Sequence, residues 1–121
     1  MLEVIGIDHI YITVSDLKRS EIFYDAVMLT LGFRKSQFEI GGEPHIQYYN
    51  RHFGYVLRPA RATSPHDFYA PGLHHFCLRV ASEADVREAA RTLREKNIAV
   101  SEPKLFDDYA PDYYAVFFSD P

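Results

Sequence analysis

The residues of this 121-residue chain predict an α+β protein built from two tandem βαβββ-type units, the second lacking its last strand. Three observations carry that reading. Several short segments alternate β-branched or aromatic residues with polar ones, the period of a half-buried strand. Two longer segments repeat apolar residues every three to four positions, the period of a helix packed on one side. The opening also recurs: Ile7-Asp-His-Ile-Tyr-Ile-Thr-Val14 lies over Leu73-His-His-Phe-Cys-Leu-Arg-Val80 at an offset of 66 residues. In that overlay Ile10 falls on Phe76, Ile12 on Leu78, Val14 on Val80 and His9 on His75.

Each element follows in order. Ile5 to Val14 is rich in β-branched and aromatic residues and predicts a strand. Ser15 or Asp16 supplies a helix N-cap, and apolar residues at 22, 23, 26, 27 and 31 give the helical face of a segment from Leu17 to Leu31. Gly32 is the stop signal. Strands are expected at about 33–40, 45–50 and 53–58, separated by Gly41-Gly42 and Arg51-His52 as a meander of hairpins. The proline-rich stretch 59–71 reads as a loop. The second unit opens with a strand at 73–80. Ser82 and Glu83 lead into a helix with Val86, Ala89, Ala90 and Leu93 on one face, which Asn97 ends. Val100 to Leu105 and Tyr113 to Phe118 are the remaining strand segments, with a loop at 107–112 between them. The chain is thus expected to be one domain over 1–121: first unit 1–60, linker 61–71 and second unit 72–121.

Composition narrows the function. Thirteen Lys and Arg against 17 Asp and Glu give a net charge of −4, which argues against nucleic-acid binding and favours a small-molecule partner. No apolar run is long enough to span a membrane. The opening residues have no basic n-region, and the lone cysteine, Cys77, suits a reducing compartment; a cytoplasmic location is expected.

Strand alternation places His9, Tyr11 and Thr13 on the face away from the helix, and His75, Cys77 and Arg79 on the matching face of the second unit. His74 is out of phase and falls on the helix side. Two histidines at repeat-related positions can converge in one concavity, and neutral imidazole is the commonest ligand of a divalent transition metal. A carboxylate would complete such a site. The last strand of the first unit, Phe53 to Arg58, has none, and Glu39 and Glu43 near the Gly-Gly turn read as solvated, as do His45, His52 and His66. Tyr113, Ala115 and Phe117 alternate toward the cleft, and Tyr114, Val116 and Phe118 toward the core. Arg58 and Arg79 are candidate anchors for an anion, with a solvated or ion-paired arginine the default for each.

Asp8-His-Ile-Tyr-Ile-Thr-Val-Ser-Asp-Leu-Lys-Arg-Ser-Glu-Ile-Phe-Tyr24, followed by Leu31-Gly-Phe33, resembles the opening of vicinal oxygen chelate proteins. That group includes glyoxalase I, extradiol dioxygenases and the bleomycin- and fosfomycin-resistance proteins. Gly72 to Val80 resembles the start of their second module, and Tyr109 to Pro121 the segment that runs into their Asp-Pro-Asp-Gly turn. The resemblance implies curved mixed sheets enclosing a cleft. It also implies a divalent metal (Zn, Mn, Fe, Ni or Mg) on His9 and His75. The substrate would be a small molecule with vicinal oxygens, bound by Tyr11, Cys77, Arg79, Tyr113 and Phe117. A homodimer is implied as well. No catalytic residue is singled out. The missing first-unit carboxylate speaks against a four-ligand glyoxalase I centre. It keeps a metal-free, drug-sequestering protein of the bleomycin-resistance type as the alternative. The family's closing glutamate would fall beyond Pro121, so the natural chain is expected to continue by about one turn and one strand of ~5–6 residues.

Overall fold

The computed structural model describes residues 1–62 and 64–121; Thr63, inside the expected linker, lies outside the described residues. The element order is β1 His9–Val14, α1 Leu17–Thr30, β2 Arg34–Ile40, β3 Glu43–Tyr49, β4 Gly54–Pro59, α2 Glu83–Glu95, β5 Lys104–Leu105 and β6 Tyr114–Ala115. The first four strands form one mixed sheet in the order β1-β4-β3-β2, with β1 parallel to β4 and the other pairs antiparallel. β5 and β6 form a separate antiparallel pair.

Local chemistry explains the first half. Asp16, rather than Ser15, caps α1: its side chain accepts the Arg19 backbone N–H at 3.0 Å. At the other end Gly32 takes φ +87°, and Phe33 N–H bonds to Met28 O while Gly32 N–H bonds to Leu29 O. That left-handed closure satisfies the last carbonyls of the helix and turns the chain directly into β2. Gly41 and Gly42, both at positive φ, form the two-residue turn between β2 and β3, pairing Ile40 with Glu43. β1 starts at His9 instead of Ile5, because its partner β4 begins opposite it at Gly54. Ile5 and Ile7 are left 93% and 61% exposed.

The core lies on one face of the sheet. Val14 of β1, Ile46 and Tyr48 of β3, and Tyr55 and Leu57 of β4 point to that face. They meet Tyr24, Val27 and Met28 of α1 and Leu93 of α2. Leu57 and Tyr48 are completely buried. The other face carries His9, Tyr11, Val56, Gln47 and Phe38, by strict alternation across the register.

The second half departs from the expected repeat. Its helix is present where the sequence indicates, and Ser82 caps it, accepting the Asp85 backbone N–H. Leu73 to Val80 is not a paired strand among the described residues, and the two later segments shrink to two-residue strands. The physical reason is visible in the first half, where β1 exists because β4 supplies its hydrogen bonds. Among the described residues no strand pairs with Leu73 to Val80 as β4 does with β1. The side chains of that stretch still alternate: the Phe76 ring packs on buried Tyr55, with centroids 5.5 Å apart, while Cys77 points the other way to Tyr113. His74 is not on the helix side; its ring lies against Phe68 and Tyr69 of the preceding loop.

Candidate functional site

A cleft of about 400 Å³ opens over the sheet face opposite the helices. β1 contributes His9 and Tyr11, β4 contributes Gly54 and Val56, and β3 contributes Gln47 and Tyr49. Phe38 of β2 and the Asn50–Phe53 turn close two of its sides. That turn is rigid: the Asn50 side-chain oxygen accepts the backbone N–H groups of His52 at 2.8 Å and Phe53 at 3.1 Å.

His9 sits on the cleft as its strand phase predicts. Its Nδ1 lies 2.7 Å from Asp8 Oδ2, and its ring meets Tyr11 edge-on at 5.7 Å. A carboxylate on one imidazole nitrogen fixes the ring and leaves the other nitrogen as the donor, the arrangement that suits a metal-bound histidine. His9 thus offers one oriented imidazole nitrogen to a divalent ion, and His75 is not among the residues lining this cleft. The residues of β4 that line the cleft, Gly54 and Val56, carry no carboxylate. Among the described residues no group of three or more His, Cys, Asp or Glu side chains is placed to hold a metal.

The remaining candidates fall into two groups. Cys77 and Tyr113 are brought together, Sγ to Oη at 3.2 Å, and that contact raises the Tyr113 hydroxyl above its usual pKa. Phe117 stacks edge-on against Phe106 at 5.4 Å, and Arg79 is exposed. Tyr114 lies under the Arg87 guanidinium of α2 and Phe118 meets Phe23 of α1, but Phe118 stays 36% exposed and neither Tyr113 nor Phe117 lines this cleft. His75 is exposed, its Nδ1 2.8 Å from that of His74, and no hydrogen bond or ring contact joins it to His9 among the described residues.

Three cleft-face residues escaped the sequence reading. His45 is 2% exposed instead of solvated. It is stacked on Phe38 at 5.1 Å, edge-on to Tyr11, and bonded through Nδ1 to Glu43 O. Glu43 is not a free solvated acid: Arg58 reaches it at 2.8 Å and Arg61 at 2.6 Å. Hydrogen bonds from Arg61 and then Arg58 hold its carboxyl at about 2. Gln47, the third, projects from β3 into the cleft. The available signal was the phase of β3: once Tyr48 is assigned to the core, His45, Gln47 and Tyr49 must face the cleft.

The fold belongs to a known class. The model of the Glyoxalase/Bleomycin resistance protein/Dioxygenase superfamily matches residues 6–121, and the chain belongs to that superfamily. Solved structures agree on the fold. The glyoxylase/bleomycin resistance protein/dioxygenase domain from Frankia sp. EAN1pec is 20% identical, with a TM-score of 0.77 over 98% of this chain and 91% of that one. The glyoxalase family protein from Enterococcus faecalis gives 20% identity and 0.73 over 97% and 90%. Lactoylglutathione lyase from Agrobacterium tumefaciens gives 20% and 0.69 over 98% and 87%. No curated protein matches the chain.

Proposed function

We propose that the protein is a divalent-metal-dependent enzyme acting on a small molecule with vicinal oxygens, with His9 and His75 as metal ligands. The observation that carries this is His9 on the cleft with Asp8 on its Nδ1. A divalent ion bound there would act as a Lewis acid on adjacent oxygens. The protein's own part is to orient the imidazole through Asp8, and to give the ligand an aromatic wall from Tyr11, Phe38 and Tyr49. On the second half Cys77, Arg79, Tyr113 and Phe117 complete the substrate surface. The same reading includes a cytoplasmic homodimer.

The test is metal analysis of purified, desalted protein together with titration of Zn²⁺, Mn²⁺ and Ni²⁺. Wild type retains one of these ions, and His9→Ala and His75→Ala each lower its affinity at least tenfold. Equal, negligible retention by wild type and both variants overturns the assignment. One observation favours a second reading, a metal-free binding protein of the bleomycin-resistance type: β4 presents Gly54 and Val56 to the cleft and no acid. It predicts small-molecule binding that is indifferent to chelator and survives His9→Ala.

A further inference from the structure

Gly54 is a glycine with no backbone reason to be one. Its φ is not in the left-handed region, unlike Gly32, Gly41, Gly42 and Gly72. It opens β4 as an ordinary paired strand residue, between His9 on one side and Tyr49 on the other. The reason lies above it: a Cβ built there would come within 3.0 Å of Gln47 Nε2 and 3.7 Å of His9 Cβ. The missing side chain makes a hollow in the cleft floor, and the Gln47 carboxamide lies in it beside His9. Its other end is fixed, since Ser36 Oγ donates to Gln47 Oε1 at 3.3 Å. Nε2 donates to no acceptor among the described residues, and Gln47 lines the cleft.

We infer that Gln47 is a specificity-determining residue of this cleft, donating from Nε2 to one oxygen of a small ligand whose neighbouring oxygen is held at the His9 centre. This rests on the reading of the cleft given above. Gly54 is then a positioning residue, because its missing Cβ lets the amide lie within reach. An acceptor-rich ligand satisfies the amide, and an analogue lacking the second oxygen leaves a donor unpaired inside the cleft, the kind of mismatch that discriminates strongly between close analogues.

The probe is acetohydroxamate, a small molecule with two adjacent oxygen donors, titrated by calorimetry into the full chain with Zn²⁺ and again with EDTA. Gln47→Leu is expected to weaken its binding about tenfold, the usual size of one hydrogen bond lost. Gly54→Ala retains the glutamine but displaces its flexible end, and is expected to lose affinity similarly. The double variant is expected to be no weaker than either single one, since both remove the same contact. A merely structural role for Gly54 would instead give additive losses and overturn the positioning claim. Binding by Gln47→Leu within twofold of wild type overturns the Gln47 assignment, as does a wild type that binds no acetohydroxamate in either condition. Wild-type binding that is equal with Zn²⁺ and EDTA, yet lost in Gln47→Leu, sinks the metal-dependent reading and leaves Gln47 standing.

Discussion

Glu43 shows how one side chain can hold an edge of the cleft together. It ends the Gly41-Gly42 turn, and its carboxylate is forked by Arg61 from the loop and met by Arg58 from β4. Its own carbonyl accepts from the His45 ring, so the turn, the strand and the buried imidazole are tied at one point. In the folded chain the carboxyl titrates at about 2, against an ordinary value of 4.5. A depressed folded value means that the ion pairs stabilise the fold fully above pH 4.5, and that this contribution is lost as the pH falls toward 2. Glu43→Gln removes the titrating group. The expected outcome is a urea midpoint that falls less steeply than wild type between those two pH values. Parallel acid limbs in the two proteins would show that the pairing is worth nothing to stability.

At the scale of elements, the link that seats α1 on the sheet is polar as well as apolar. Tyr48, fully buried on β3, donates its hydroxyl to Asp25 Oδ1 at 2.6 Å, and Lys35 of β2 pairs with both Asp25 and Glu21. Burial, then the Asp25 hydrogen bond, raises the Tyr48 hydroxyl far above its ordinary pKa, so it stays a donor at any working pH. Tyr48→Phe keeps the ring and deletes that donor. It should lower unfolding free energy by roughly 1.5–3 kcal/mol, the range for a hydrogen bond to a charged group, measured by urea denaturation. An unchanged midpoint would mean that water replaces the hydroxyl without loss. The sequence made α1 and the three strands after it legible, because apolar spacing, a capping Asp and turn glycines are local signals. It made His9 legible as a cleft residue for the same reason, through the phase of one strand. It did not expose Gln47, Glu43 or buried His45, since their roles depend on cross-strand neighbours that only the register fixes. The alternation at 73–80 overstates a strand. It is real, as Phe76 and Cys77 show, but a strand also needs a hydrogen-bonding partner, and local pattern says nothing about whether one stands beside it.

At the scale of the molecule, the repeat suggests two similar units, yet the packing joins them through one core. Leu93 of α2 is 1% exposed and belongs to the cluster formed by Val14, Val27, Met28 and Leu57 of the first half. The joint is reinforced at the chain's end. Tyr55 donates to Tyr24 at 2.9 Å, and Tyr24 donates to Asp120 at 2.6 Å, so a hydroxyl relay runs from β4 through α1 to the penultimate residue. Phe76 on Tyr55 and Phe118 on Phe23 add apolar contacts across the same boundary. The second half's own pairing among the described residues is the β5–β6 ladder, flanked by Ser101 N–H to Phe117 O and Phe106 N–H to Tyr113 O. Docking of α2 on the core of the first half adds to that short ladder. A cavity made in α2 should then be felt everywhere. Leu93→Ala is expected to destabilise the protein by about 2–5 kcal/mol, the range for truncating a buried leucine. Unfolding should remain a single transition, with helical circular dichroism and tyrosine fluorescence changing together. If tyrosine fluorescence, which reports on both halves, and the helical signal instead each melted in two steps, the halves would be separate folding units. The shared core would then be contact without cooperativity.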